Sequence, residues 1–352
     1  MFICYYCGIE KEDPENSLEH IIPESCGGGI TTTLVCNECN SKANREIDNF
    51  FKDEWFISWD RAILGLEGKR GKVHKVLTDV TSENGKQMQI LINEEGIIPI
   101  TKPEVELDYI NNKGTILADK RFVKNVLKDV RKKVGKKGLK LMLPEVLPEP
   151  SKEHPGFVNM KISVDLKNIR REQVKIILGL ACKFIPNFTN SQTATLLRDY
   201  LWDSTGASQI KKLTSGLFPY ELNKSIPSFY KEGNVIYSTQ PDGMEMEVLL
   251  STLDVKLEHL FAYYPNRGKV RLYLSIFGHL NCYIDTIENY DTFFKGPVQP
   301  ISKAIINYPK EKRYELININ GILSMTGSMA SAKLAGFLSS QPRLFDSIKN
   351  LK

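Results

Sequence analysis

A chain of 352 residues, 41% hydrophobic and 25% charged, has ordinary globular usage and room for two or three domains, which excludes a peptide hormone, a small disulfide scaffold and a coiled coil. No run approaches the roughly 18 apolar residues of a membrane span, and the opening Met1-Phe2-Ile3-Cys4 has neither a basic nor an apolar leader region. A reducing, cytoplasmic compartment and no membrane partner are therefore expected. The net charge of +5 is too small to mark a polyanion binder by itself, but it is unevenly spread. Residues 1–50 carry three basic side chains (Lys11, Lys42 and Arg45) against nine acidic ones, a balance of −6, whereas residues 121–140 carry nine basic against one acidic, a balance of +8.

Five of the seven cysteines fall within the first 39 residues. Cys4-Tyr5-Tyr6-Cys7 and Cys36-Asn37-Glu38-Cys39 are two C-x2-C pairs 28 residues apart, and two such pairs supply the four thiolates of a tetrahedral Zn²⁺ site. The alternatives are disulfides, which a reducing compartment disfavours, or buried free thiols, which leave the paired spacing unexplained. A four-cysteine site is coordinatively full, so this zinc is expected to hold the fold and do no chemistry. Cys26, followed by Gly27-Gly28-Gly29, reads as a loop residue and not as a fifth ligand.

Between the pairs, Leu18-Glu19-His20-Ile21-Ile22 reads as a short strand stopped by Pro23 and a glycine turn. Glu19 and His20, as strand neighbours, point to opposite faces unless a twist or a metal draws them together. After the second pair a helix is expected, with Ile47, Phe50 and Phe51 as its core face and with Asn40, Asn44 and Asp48 at four-residue intervals along another. This helix is expected to run on through Trp55 toward Leu66.

The order C-x2-C, then E-H-I-I-P-E-x-x-G-G, then C-x2-C-N resembles the HNH endonucleases of the ββα-metal class, over about residues 1–50. The resemblance implies that His20 is the general base of phosphodiester hydrolysis, that Glu19 and Asn40 hold a catalytic Mg²⁺ or Mn²⁺ ion, and that Asn44 is a supporting or alternative ligand. Such chemistry needs a deprotonated water, a cation against the phosphate, and relief of charge on the leaving oxygen. Many members of the family carry an asparagine in the loop before the second cysteine pair that helps to orient the histidine. Residues 30–35 (Ile-Thr-Thr-Thr-Leu-Val) contain none, and a backbone carbonyl is expected to do the orienting. From the residues alone, a structural histidine is the better reading of His20 and a helix cap is the alternative for Asn40, while Asp48 reads as solvated or salt-bridged.

Farther along, residues 72–80 and 87–93 read as a β-hairpin around Ser82-Glu83-Asn84-Gly85, beside a small basic patch at 69–75. Residues 121–134 read as a helix with Val123, Leu127, Val130 and Val134 inward. Its basic side chains, Lys124, Lys128, Arg131, Lys132 and Lys133, continue into Lys136 and Lys137. These seven are assigned to the DNA backbone, since phosphate contacts dominate affinity and the acidic N-terminal segment cannot attract DNA by its own field; the alternative is a solvated outer face.

Pro144, Pro148, Pro150 and Pro155 mark a linker. Beyond it we expect a strand at 157–165 and helices at 170–184 and 191–202, the first burying Val174, Ile177, Leu178 and Ala181. Strands are expected at 234–239, 257–264, 270–277 and 280–285, with His259 and His279 structural, and two short helices in the tail from Ser324 to Leu351.

The reading is α+β: a small N-terminal ββα-metal (HNH) zinc module followed by a larger mixed α+β domain with antiparallel sheet. The expected divisions are 1–66, 67–150 and 151–352. The function expected is a metal-dependent DNA endonuclease, in a restriction or anti-phage defence setting by analogy. A catalytically silent zinc-dependent nucleic-acid-binding protein and a ligand-activated nuclease effector are the alternatives. A homo-oligomer, and a regulatory ligand or partner protein acting through the C-terminal domain, stay open.

Overall fold

The computed structural model describes residues 1–142 except 69, 70, 84, 86, 112, 121, 139 and 141, together with 158–160, 165–202, 257–295 except 267 and 279, and 301–319. The proline-marked linker, the strand at 234–239, His279 and the two tail helices lie outside the described residues. No described helix is long and apolar enough to cross a membrane.

The chain divides into two units, Met1–Glu54 with Asp165–Lys352, and Trp55–Val164. The divisions differ from those expected at 66 and 150: the N-terminal segment shares a unit with the C-terminal part, and the middle of the chain forms its own. The reason is local. The helix after the second cysteine pair does not run on to Leu66; it ends when Asp53 and Glu54 donate to Phe50 and Phe51 in tight three-residue turns. A separate helix then starts in the other unit.

The first unit opens with the small ladder β1 (Phe2–Ile3) and β2 (Glu10–Lys11), then the pair β3 (Glu19–His20) and β4 (Thr31–Thr32), all antiparallel. In the second ladder Glu19 stands opposite Thr32 and His20 opposite Thr31. α1 (Asn37–Ala43) follows, opens into a wide π turn at Asn44–Asp48, and closes with α2 (Asn49–Phe51).

The C-terminal part of this unit holds α5 (Leu166–Phe184), α6 (Gln192–Trp202) and a five-stranded antiparallel sheet. The sheet runs β13 (Leu280–Asn289), β12 (Lys269–Ile276), β11 (His259–Asn266), β14 (Lys303–Tyr308), β15 (Arg313–Asn318). α5 packs on β12 and α6 on β13, as expected of helices covering one face. The expected single apolar stripe on α5 is, however, too narrow, because every residue from 172 to 181 is buried. A helix buried around its whole circumference needs neighbours on all sides, and here the N-terminal segment supplies one. Gly179 is the point of closest approach, where an added Cβ would sit 2.7 Å from Ile21 Cγ2.

The second unit begins with α3 (Trp55–Ile63) and contains the antiparallel sheet β10 (Val158–Asn159), β5 (Val76–Ser82), β6 (Gln87–Asn93), β7 (Gly96–Thr101). Ala62 of α3 joins Val80, Met88, Ile90 and Ile92 in its core. The hairpin β8 (Glu104–Asp108) and β9 (Lys113–Leu117) and the helix α4 (Val123–Gly135) complete it.

Candidate metal and nuclease site

Cys4 and Cys7 sit in the turn between β1 and β2, while Cys36 and Cys39 sit at the start of α1. A bridge between Asn16 and Cys36, and a hydrogen bond from Cys36 N–H to Cys4 Sγ at 3.4 Å, bring the two turns together. One ligand atom from each of the four cysteines lies within 4.8 Å of the others. Tetrahedral Zn–S bonds of about 2.3 Å require sulfurs about 3.8 Å apart, so these residues fit a single Zn²⁺. A hydrogen bond from Cys39, reinforced by backbone N–H groups of Cys36, Cys7 and Tyr6 against the opposing effect of burial, lowers the Cys4 thiol to about 5. Cys26 is outside this group; its carbonyl accepts a hydrogen bond from the His259 ring at 2.8 Å.

Beside the cysteines, β3, β4 and α1 form a ββα unit. Asn40, on the first turns of α1, donates through Nδ2 to Ser17 Oγ at 2.8 Å and to the Leu18 carbonyl at 3.1 Å. A carbonyl only accepts, so the amide orientation is settled and Oδ1 faces away from both. That Oδ1 is buried and has no hydrogen-bond partner among the described residues. Asn40 is thus tied directly to the residues that lead into Glu19 and His20.

The two strand neighbours face opposite ways. His20 is half-buried, and its ring forms no hydrogen bond with a described residue; the expected backbone carbonyl does not orient it here. Glu19 is 3% exposed and points into the unit. Its Oε1 accepts from Tyr6 Oη at 2.7 Å and pairs with Lys175 Nζ of α5 at 3.2 Å. Lys175 also pairs with Asp48 at 2.8 Å and Glu172 at 3.3 Å, and it donates to the Ile21 carbonyl at 3.4 Å. Burial alone would push the Lys175 ammonium down, but Asp48, Glu172 and Glu19 together hold it well above its ordinary value. Burial, with Asp48 and Glu19 adding to it, raises the Glu172 carboxyl well above the carboxylate range although Lys175 opposes this.

Residues 4–56 match the family described as HNH endonuclease. This stretch is an HNH module. No curated protein and no solved structure matches the chain.

In the HNH module, Asn40 Oδ1 has no hydrogen-bond partner among the described residues, and Tyr6 and Lys175 both bind Glu19 through Oε1. Hard oxygen donors of this kind suit Mg²⁺ or Mn²⁺. Asn44 is half-buried at the start of the π turn, one turn beyond Asn40. Asp48 leaves the expected Asn40–Asn44–Asp48 row and is turned inward to Lys175, as the widened turn between them shifts its register. The salt-bridged reading of Asp48 is the one realised.

The triple-glycine loop between β3 and β4 is clasped by the C-terminal sheet. Asn307 of β14 accepts from Gly29 N–H at 2.7 Å and donates to the Gly27 carbonyl at 2.9 Å. His259 Nδ1 accepts from Phe277 N–H at 3.2 Å, which leaves Nε2–H to donate to Cys26. Lys183 of α5 donates to the Thr31 carbonyl on β4 at 3.0 Å.

Lys124, Lys128, Arg131, Lys132, Lys133, Lys136 and Lys137 belong to the second unit, and all seven are exposed on and just beyond α4. Val130 and Val134 are buried, while Val123 and Leu127 are half-buried. Lys137 Nζ lies 3.6 Å from the centroid of the Tyr109 ring.

Sequence reasoning missed Lys175, Glu172 and Tyr6. A signal existed: Lys175 interrupts the apolar run from Val174 to Cys182, with Glu172 three residues before it, and charged residues in a buried helix demand partners.

Proposed function

We propose that the chain is a metal-dependent endonuclease that hydrolyses phosphodiester bonds in DNA, with the HNH module as its catalytic centre. The observation that carries this reading is the Oδ1 of Asn40, unpartnered among the described residues and fixed beside the strand on which neither Glu19 Oε2 nor the His20 ring has a described hydrogen-bond partner. His20 acts as general base: its neutral imidazole takes a proton from the water that attacks phosphorus, and the bond to the leaving sugar oxygen breaks. Glu19 and Asn40 would hold Mg²⁺ or Mn²⁺, with Asn44 as a supporting oxygen; when bound, the ion supplies positive charge against the phosphate and the leaving oxygen. The four cysteines hold zinc and brace the ββα unit. The exposed basic face of α4 contacts the DNA backbone. A cytoplasmic restriction or anti-phage role is the setting we infer.

The test is cleavage of supercoiled plasmid with Mg²⁺ or Mn²⁺ by wild type and His20→Ala. Loss of a general base should lower the rate about 10²–10⁴-fold with the melting curve and zinc content unchanged. Equal nicking by the two proteins would remove His20 from the reaction.

A further inference from the structure

We propose that Lys175 of α5 is a positioning residue for the nuclease reaction: its ammonium holds Glu19 by Oε1 so that Oε2 is presented to the divalent cation. The proposal rests on the reading of Glu19 as a cation ligand.

A lysine with no exposed surface in the middle of a buried helix is a costly choice where leucine or methionine would pack without desolvating a charge. Its contacts show what the charge is used for. Lys175 Nζ reaches the Glu19 side chain at 3.2 Å and the Ile21 carbonyl at 3.4 Å. These residues flank His20 on either side, so one ammonium grips the strand from beneath on both sides of the general base. Tyr6 Oη adds a second donor to Glu19 Oε1 at 2.7 Å. A carboxylate held by two donors on one oxygen has lost its rotational freedom, and its other oxygen needs no reorganisation when a cation arrives.

A lysine beside a cation site would ordinarily repel the ion. Here Asp48 at 2.8 Å, together with Glu172 at 3.3 Å, faces the ammonium. The Asp48 carboxylate offsets the lysine's charge, so the ammonium serves Glu19 as a fixed hydrogen-bond donor without a net positive field. Asp48 reaches this position because the π turn brings it inward, a kind of helix irregularity often found at functional sites. The arrangement makes α5, encoded far from the HNH module, part of the apparatus that prepares its cation ligand.

The test uses the full chain with Mn²⁺ as the probe, following loss of the free-ion electron paramagnetic resonance signal as metal is bound. Two variants are compared with wild type: Lys175→Met, and Lys175→Met/Asp48→Asn, which removes one cation with one anion and so keeps the buried charge balance. We expect both to keep four-cysteine zinc and to bind Mn²⁺ about 10–100-fold more weakly. In plasmid cleavage the Mn²⁺ concentration needed for half-maximal rate should rise by the same factor, while the rate at saturating Mn²⁺ changes little. Unchanged Mn²⁺ affinity in a folded variant overturns the proposal while leaving the nuclease reading intact. Loss of folding or of zinc in both variants assigns Lys175 to the fold alone and also overturns it. A wild-type chain that binds no Mn²⁺ beyond its zinc overturns the reading of Glu19 as a ligand, and this proposal with it.

Discussion

Glu19 and His20 share a strand of two residues, and alternation sends one carboxylate inward and one imidazole outward. Their identity and order were legible from the sequence, as were the four cysteines and Asn40, because each lies within a local motif of fixed spacing. What holds Glu19 was not, since Lys175 lies 154 positions beyond Ile21, and only the folded chain brings them together. The glycine loop illustrates the same limit. Its turn chemistry is plain in the sequence, but the reason for three consecutive glycines is steric: a Cβ on Gly28 would collide with the Ile22 carbonyl, and Cβ atoms on Gly27 and Gly29 would collide with the chain at Pro309 and Lys312. Gly28→Ala is therefore expected to lower unfolding stability by about 1–3 kcal/mol, measured by denaturant titration with zinc content unchanged. A neutral result would show that the loop can shift without cost.

At the scale of elements, strongly periodic segments were predicted well and irregular ones were missed. The helices at α4, α5 and α6 and the strands β5, β6, β11, β12 and β13 follow from apolar spacing. β7 is not legible from alternation, since Pro99 interrupts it; an edge strand tolerates proline because an outward position has no ladder hydrogen bond to lose. β14 and β15 were missed as well, since β15 is exposed at nearly every position and offers no alternation to read. α4 is the element whose outer face carries a prediction. Its lysines are exposed and none of its basic side chains is shared with the core, so they are free to meet phosphates. Replacing Lys132, Lys133, Lys136 and Lys137 by alanine should weaken DNA binding uniformly across sequences. It should also reduce the slope of log affinity against log salt by about one unit for each lysine that meets a phosphate. An unaltered slope would return this face to simple solvation.

For the molecule as a whole, motif reading suggests a self-standing nuclease module at the N-terminus with an appended domain, and the packing argues otherwise. Tyr5, Tyr6, Ile21, Ile22, Ile47 and Phe51 are all at most 2% exposed. Arg198 and Trp202 of α6 donate to the carbonyls of Tyr5 and Tyr6 at 2.9 and 2.7 Å. Arg171 of α5 donates to the Glu46 carbonyl at 3.3 Å. The HNH module thus packs against α5 and α6, although the second unit's sequence lies between them. A segment of about 60 residues is marginal even with its own core intact, and here much of that core is contributed by α5 and α6. A fragment ending at residue 66 is therefore expected to bind zinc through its local cysteine pairs but to show no cooperative thermal transition. Calorimetry alongside the full chain checks this. Cooperative melting of the fragment would mean that zinc alone organises the module, and that α5 contributes the position of Glu19 but not the fold around it.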